Sequence, residues 1–136
     1  MKNALLAYAG TALFFLIVDA IWLGIVARTF YRDQLGDLML PSPSLTIGAA
    51  FYIIFAAAVV FLAVMPGLRE ASLSTALLYG AVLGLAAYGT YDITNLATLK
   101  NWPVAMSMVD MAWGTFLTAA SAGCGYIVAH KFGEAF

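Results

Sequence analysis

Tyr88-Gly89-Thr90-Tyr91-Asp92-Ile93-Thr94-Asn95 sets a carboxylate, an amide and two phenols inside a long apolar run, Leu73 to Leu99. An aspartate at the centre of a membrane helix costs about 2.5 to 3.5 kcal/mol, so one placed there marks a functional position by default. In the same run, Gly80, Gly84, Tyr88 and Asp92 recur every four residues. That spacing makes one helical face, on which small residues admit a second helix close to the acid. Asn95, three residues beyond Asp92, stays on that face.

The remainder of the chain is equally apolar. Of its 136 residues, 64% are hydrophobic and 10% charged, and the mean hydropathy is +0.95. A soluble domain carries about 25% charged residues, so the composition belongs in a membrane. The length suits four spans of about 20 residues and leaves no room for a second domain. Helical spans are predicted over about 4–27, 45–65, 73–99 and 104–129, a single transmembrane domain filling 1–136. The loops are short, so the fold class is all-α: a polytopic membrane protein built as an antiparallel four-helix transmembrane bundle. Met1-Lys2-Asn3 has the outline of a signal start, but the following run is too long and carries Asp19, so it reads as a retained first span.

Between spans, residues 28–44 interleave Arg28, Arg32, Asp33 and Asp37 with Phe30, Tyr31 and Leu35, which suits an interfacial segment. Pro66-Gly67 is expected to stop the second span. Lys100-Asn101-Trp102-Pro103 is expected to form a tight turn with Pro103 at the first helical position.

Depth relates the acids to one another. Asp19 lies nine residues before Arg28, Asp92 eight before Lys100, and Asp110 eight after Trp102. At ~1.5 Å per residue each is about 12 Å inside the same membrane face. Tyr52 falls in this layer, and Trp22, Tyr88, Tyr91, Asn95, Ser107 and Trp113 are candidates to line it. No Lys or Arg lies inside any span. Carboxylates in low dielectric take up protons, hold a cation or reach water through a cavity. Arg28, Arg32 or Lys100 could also snorkel inward from the rim. The structural alternative is that the acids act as interhelical hydrogen-bond glue, at about 1 kcal/mol each, with the indoles and phenols as packing.

The net charge of −1 leaves no basic patch for nucleic acid. Cys124 is the only cysteine and His130 the only histidine, which rules out an internal disulfide, a thiolate cluster and sites built on several histidines. No cofactor is expected. A divalent metal could be held only by oxygen ligands, from Asp19, Asp92 and Asp110.

Asp19-x-Ile21-Trp22-Leu23-Gly24, Phe51-Tyr52, the stretch from Tyr88 through Asn95 to Trp102-Pro103, and Asp110-x-x-Trp113-Gly114 together resemble a family of small bacterial four-span inner-membrane proteins known only as a domain of unknown function. The resemblance covers nearly the whole chain and implies a multi-pass protein of the bacterial inner membrane. It supplies no catalytic assignment.

From the residues themselves, the first expectation is a proton- or cation-linked carrier or binder of a small amphipathic or lipid-like ligand. Asp19, Asp92, Asp110, Asn95, Tyr52, Tyr88, Tyr91, Trp22 and Trp113 would line its site. The size and the acid beside Trp22 are similar in outline to small multidrug-resistance transporters, which centre on one Glu where this chain has three Asp. A second expectation is a membrane-embedded enzyme of lipid modification using the Asp cluster with a divalent metal. A third is an accessory subunit in which the acids only fix packing. Expected partners are the bilayer, a lipid or small cationic ligand, and a second copy or another membrane protein. Lys2, Arg69 and Lys131 on one face balance Arg28, Arg32 and Lys100 on the other. The amino group tips both termini towards the cytoplasm.

Overall fold

A chain this apolar must satisfy its backbone polar groups internally, and helices do so within one segment. The computed structural model describes residues 1–134 and contains no strand among them. The helices are α1 (Lys2–Ile25), α2 (Phe30–Leu35), α3 (Leu45–Arg69), α4 (Leu73–Thr98) and α5 (Val104–Phe132). Ser44 and Ser72 cap α3 and α4, their hydroxyls accepting from the Ile47 and Thr75 backbone N–H groups. By length and composition α1, α3 and α4 can each cross a membrane.

α5 is not among those three, although at 29 residues it is the longest helix. Its stripe of Ser107, Asp110, Gly114, Thr118 and Ser121 dilutes its hydropathy. Packing explains why it tolerates them: Ser107, Gly114, Thr118 and Ser121 are all buried. α5 is the centre of the molecule, with α1 on one side and α4 on the other.

Small residues set those two contacts. A Cβ on Gly84 would lie 2.5 Å from the Gly114 carbonyl oxygen and 2.8 Å from Thr118 Cβ, so α4 and α5 touch backbone to side chain. A Cβ on Gly114 would overlap the Tyr88 ring, which therefore lies flat across α5. On the other side Gly125 faces Ala7 and Thr11 of α1, and Gly10 faces Val128. Further along, Asp19 meets Trp113. Without a hydrophobic force between helices in lipid, such close approach is what dispersion and interhelical bonding require.

Two local expectations are corrected. Pro66-Gly67 does not end the second span, which continues to Arg69. Pro66 has no N–H to give and its ring crowds the carbonyl four residues back. The backbone widens into a π turn over Val60–Val64 just before it, and the helix passes through. Second, Pro103 caps α5 from an extended conformation (ψ 128°) instead of opening its first turn, its carbonyl accepting from both the N–H and the hydroxyl of Ser107. Between α1 and α3, residues 28–44 form a short helix, a turn and an irregular stretch. After α2, a 3₁₀ turn over Gly36–Leu38 leads to the irregular stretch before Leu45.

The α4–α5 contact can be tested by enlargement. Gly84→Leu should lower thermal stability in detergent by about 1–3 kcal/mol or more, the usual cost of overpacking. Gly48→Leu, at a position with nothing within 4 Å, should leave it unchanged.

Candidate functional site

The deepest anchor of the site is Asp19, only 3% exposed. The Tyr52 hydroxyl of α3 donates to its Oδ2 at 2.6 Å, and the Trp113 indole N–H of α5 donates to its Oδ1 at 3.1 Å. One carboxyl group of α1 thus ties three helices together through two side-chain hydrogen bonds, each worth about 0.5–1.5 kcal/mol. Phe15, one turn earlier on α1, packs edge-on to Tyr52 with centroids 4.9 Å apart and steadies the phenol.

Trp22, three residues beyond Asp19, lies flat on Trp113, with centroids 4.1 Å apart and planes 6° from parallel. The two acid-x-x-indole motifs therefore interlock. Trp113 serves Asp19 directly, while Trp22 reaches Asp110 through a phenol that sequence reading had left at the interface. The Trp22 indole N–H donates to Tyr31 Oη at 3.2 Å, and that hydroxyl donates to Asp110 Oδ1 at 2.9 Å. Burial, and then the negative charge of Asp110, hold the Tyr31 phenol well above its ordinary value of 10.0. It therefore remains a donor at neutral pH. No helical register links Tyr31 to the spans; only the inward turn of α2 brings it to the acids.

Asp92 differs from both. It is completely buried, and neither carboxylate oxygen has a hydrogen-bond partner among the described residues. The charged group acting on it is Asp110, across the α4–α5 contact. Arg28, Arg32 and Lys100 remain exposed at the rim and do not turn inward. Around the acids, phenols and indoles take the place of cations.

Beside this cluster is a pocket of about 400 Å³ between α3, α4 and α5. Its walls are Phe51, Tyr52, Phe55, Tyr88 and Tyr91, and Asp110 is its one charged group. The sequence places Tyr52, Tyr88, Tyr91 and Asp110 in one layer but does not single out Phe51 and Phe55 as lining residues, both being unremarkable in an apolar run. A second hollow of about 310 Å³ lies between α1 and α3, with Asp19 and Tyr52 on its surface. Tyr52 is a wall of both.

The other candidates lie farther out. Tyr91 is 55% exposed and stands edge-on to Trp102 at 5.7 Å. Asn95 is half-buried one turn beyond Asp92. Ser107 is occupied by Trp102, whose indole N–H donates to its hydroxyl at 2.9 Å. Among the described residues no three His, Cys, Asp or Glu side chains gather in metal-holding positions, and both Asp19 oxygens are already engaged by Tyr52 and Trp113.

The model of a family described as "Predicted membrane protein (DUF2177)" matches residues 4–127. No curated protein and no solved structure matches the chain.

The Tyr31 bond carries a pH signature. A phenol whose proton is held more tightly in the folded state contributes stability that is complete below pH 10 and is lost as pH rises beyond it. The stability difference between wild type and Tyr31→Phe should therefore stay constant from about pH 8 to about pH 9 and shrink as pH rises past about 10 towards about pH 11. Chemical unfolding of both proteins across that range measures it; a constant difference would show that Tyr31 holds no such proton.

Proposed function

The chain belongs to the DUF2177 family of predicted membrane proteins, and from that premise we propose that it binds and carries a small amphipathic cation at the Asp110 pocket. The observation that carries this reading is the chemistry of the walls: five aromatic side chains and a single carboxylate around about 400 Å³. Aromatic faces attract an organic cation, by about 2 kcal/mol where water is excluded, and the carboxylate supplies the opposite charge. An uncompensated charge at this depth is costly. Arrival of the cation is therefore balanced by departure of a proton from the Asp92–Asp110 pair, which makes the exchange proton-linked.

The acids divide the work. Asp110 faces the ligand, Asp92 stands behind it without a partner, and Asp19 fixes the helices. Tyr52, Tyr88 and Tyr91 form the wall; Trp22 and Trp113 hold the layer's geometry, and Asn95 lies at its margin. The lipid-modifying enzyme would need Asp19 to release two hydrogen bonds before the three acids shared a metal ion, and no observation favours it over binding.

In the membrane, this reading takes the chain as one domain of four antiparallel spans. The contacts Gly10–Val128 and Asp19–Trp113, and Gly80–Ala122 and Gly84–Gly114, support that direction, as residue numbers rise on one helix and fall on α5. Burial of the polar stripe of α5 supports counting it as the fourth span despite its lower hydropathy. Location in the bacterial inner membrane, with both termini in the cytoplasm, completes the proposal.

A fluorescent aromatic quaternary ammonium tests it, titrated against the protein in phosphatidylcholine nanodiscs. Asp110→Asn should weaken binding about tenfold or more, equivalent to about 1.4 kcal/mol, while Glu70→Gln, in the exposed α3–α4 turn, should not. Equal affinities in wild type and Asp110→Asn would overturn the reading.

A further inference from the structure

Two hollows lie end to end along the side of the bundle where α3 faces α4. One is the aromatic pocket at Asp110. The other, of about 460 Å³, is walled by Leu62 of α3 and by Leu78, Tyr79, Val82, Leu83 and Ala86 of α4, and no charged residue lines it. Ala87 lines the first and its chain neighbour Ala86 the second, so the two hollows approach each other on α4. Positions 78, 82 and 86 repeat every four residues and form one continuous stripe of α4. From Phe51 to Leu62 the groove follows eleven residues of α3, about 16 Å at ~1.5 Å per residue. That is close to the depth of one leaflet in a hydrocarbon core about 30 Å thick.

We infer that the occupant is a single-chain cationic amphiphile, its head among the aromatic walls beside Asp110 and its tail lying along the α3–α4 groove. This inference rests on the amphipath-binding reading and specifies the ligand's shape. Charge complementarity selects the occupant. A phospholipid would bring a phosphate towards Asp110, whereas an alkylammonium brings the complementary charge. Its one charged residue lies at the Asp110 end, so the groove also sets direction. In lipid, a tail gains little by moving from the bilayer into an apolar groove, because the surroundings are equally apolar. Selection therefore resides in the head, and the tail determines orientation and the lateral route of entry. Leu62, Leu78 and Val82 are all exposed on the outside of the bundle, which keeps that route open to the leaflet.

Photolabelling tests the tail separately from the head. The probe is dodecyltrimethylammonium carrying a diazirine at the chain end, used with the full chain in phosphatidylcholine nanodiscs and mapped by peptide mass spectrometry. Label is expected at Leu62, Leu78 or Val82, suppressed by excess unlabelled dodecyltrimethylammonium and lost in Asp110→Asn. Val82→Trp should block this labelling while leaving binding of the short aromatic quaternary ammonium within twofold. Competable, Asp110-dependent label elsewhere would overturn the groove inference and leave the binding reading intact. Label that is neither competed nor Asp110-dependent would overturn both. Competition in the wild type requires no variant, so a poorly folding substitution does not blunt the test.

Discussion

The buried Asp19 carboxylate is the constraint from which the rest of the molecule follows. A charge-bearing group of α1, almost sealed from solvent, has to be met by donors, and those donors come from α3 and α5. The bonds fix depth as well as contact, because sliding any one of the three helices by a turn would displace its donor by about 5.4 Å. With Trp113 held at Asp19, its ring is presented flat to Trp22, and Trp22 in turn is aimed at Tyr31. A single satisfied acid thereby organises the aromatic layer, leaving Asp110 free to face the pocket and Asp92 without a partner.

Much of this was legible because a helix is regular. Counting residues inward from Arg28, Lys100 and Trp102 with a fixed rise per residue gave the expectation that the acids share one level along their helices. The spacing of Gly80, Gly84 and Tyr88 likewise identified the face that meets α5. What sequence could not supply was the difference between the acids. Asp19 and Asp110 are each followed by an indole three residues on, yet one is fully engaged and the other lines a pocket. That distinction depends on how the helices rotate about their axes, which no spacing within a single helix records. Tyr31 was invisible for a related reason: it lies outside every span, and only the path of the connecting segment carries it inward. Pro66 misled because proline's local rule was overridden by a π turn in the same helix.

α5 shows how an otherwise apolar bundle accommodates a helix with a polar stripe. Hydropathy averages a whole segment and treats every side as lipid-facing, but this helix is enclosed between α1 and α4. Its glycines and hydroxyls serve close packing there, and Ser121 returns its hydroxyl to the Leu117 carbonyl of its own backbone. Thr11, at the α1 contact, and Thr118, at the α4 contact, keep buried hydroxyls without a partner among the described residues. The apolar burden falls on the outer helices, which are the three that pass on composition alone.

Tyr52 separates two hollows with one ring while its hydroxyl serves Asp19. A residue placed this way has no single phenotype. Replacing it changes the shape of two spaces and removes one support of the acid at once, so its effect cannot be assigned to any of the three by deletion alone. Phenylalanine at position 52 isolates the hydroxyl, and a smaller apolar residue isolates the wall. Only the contrast between those two substitutions separates the architecture of this layer from its chemistry.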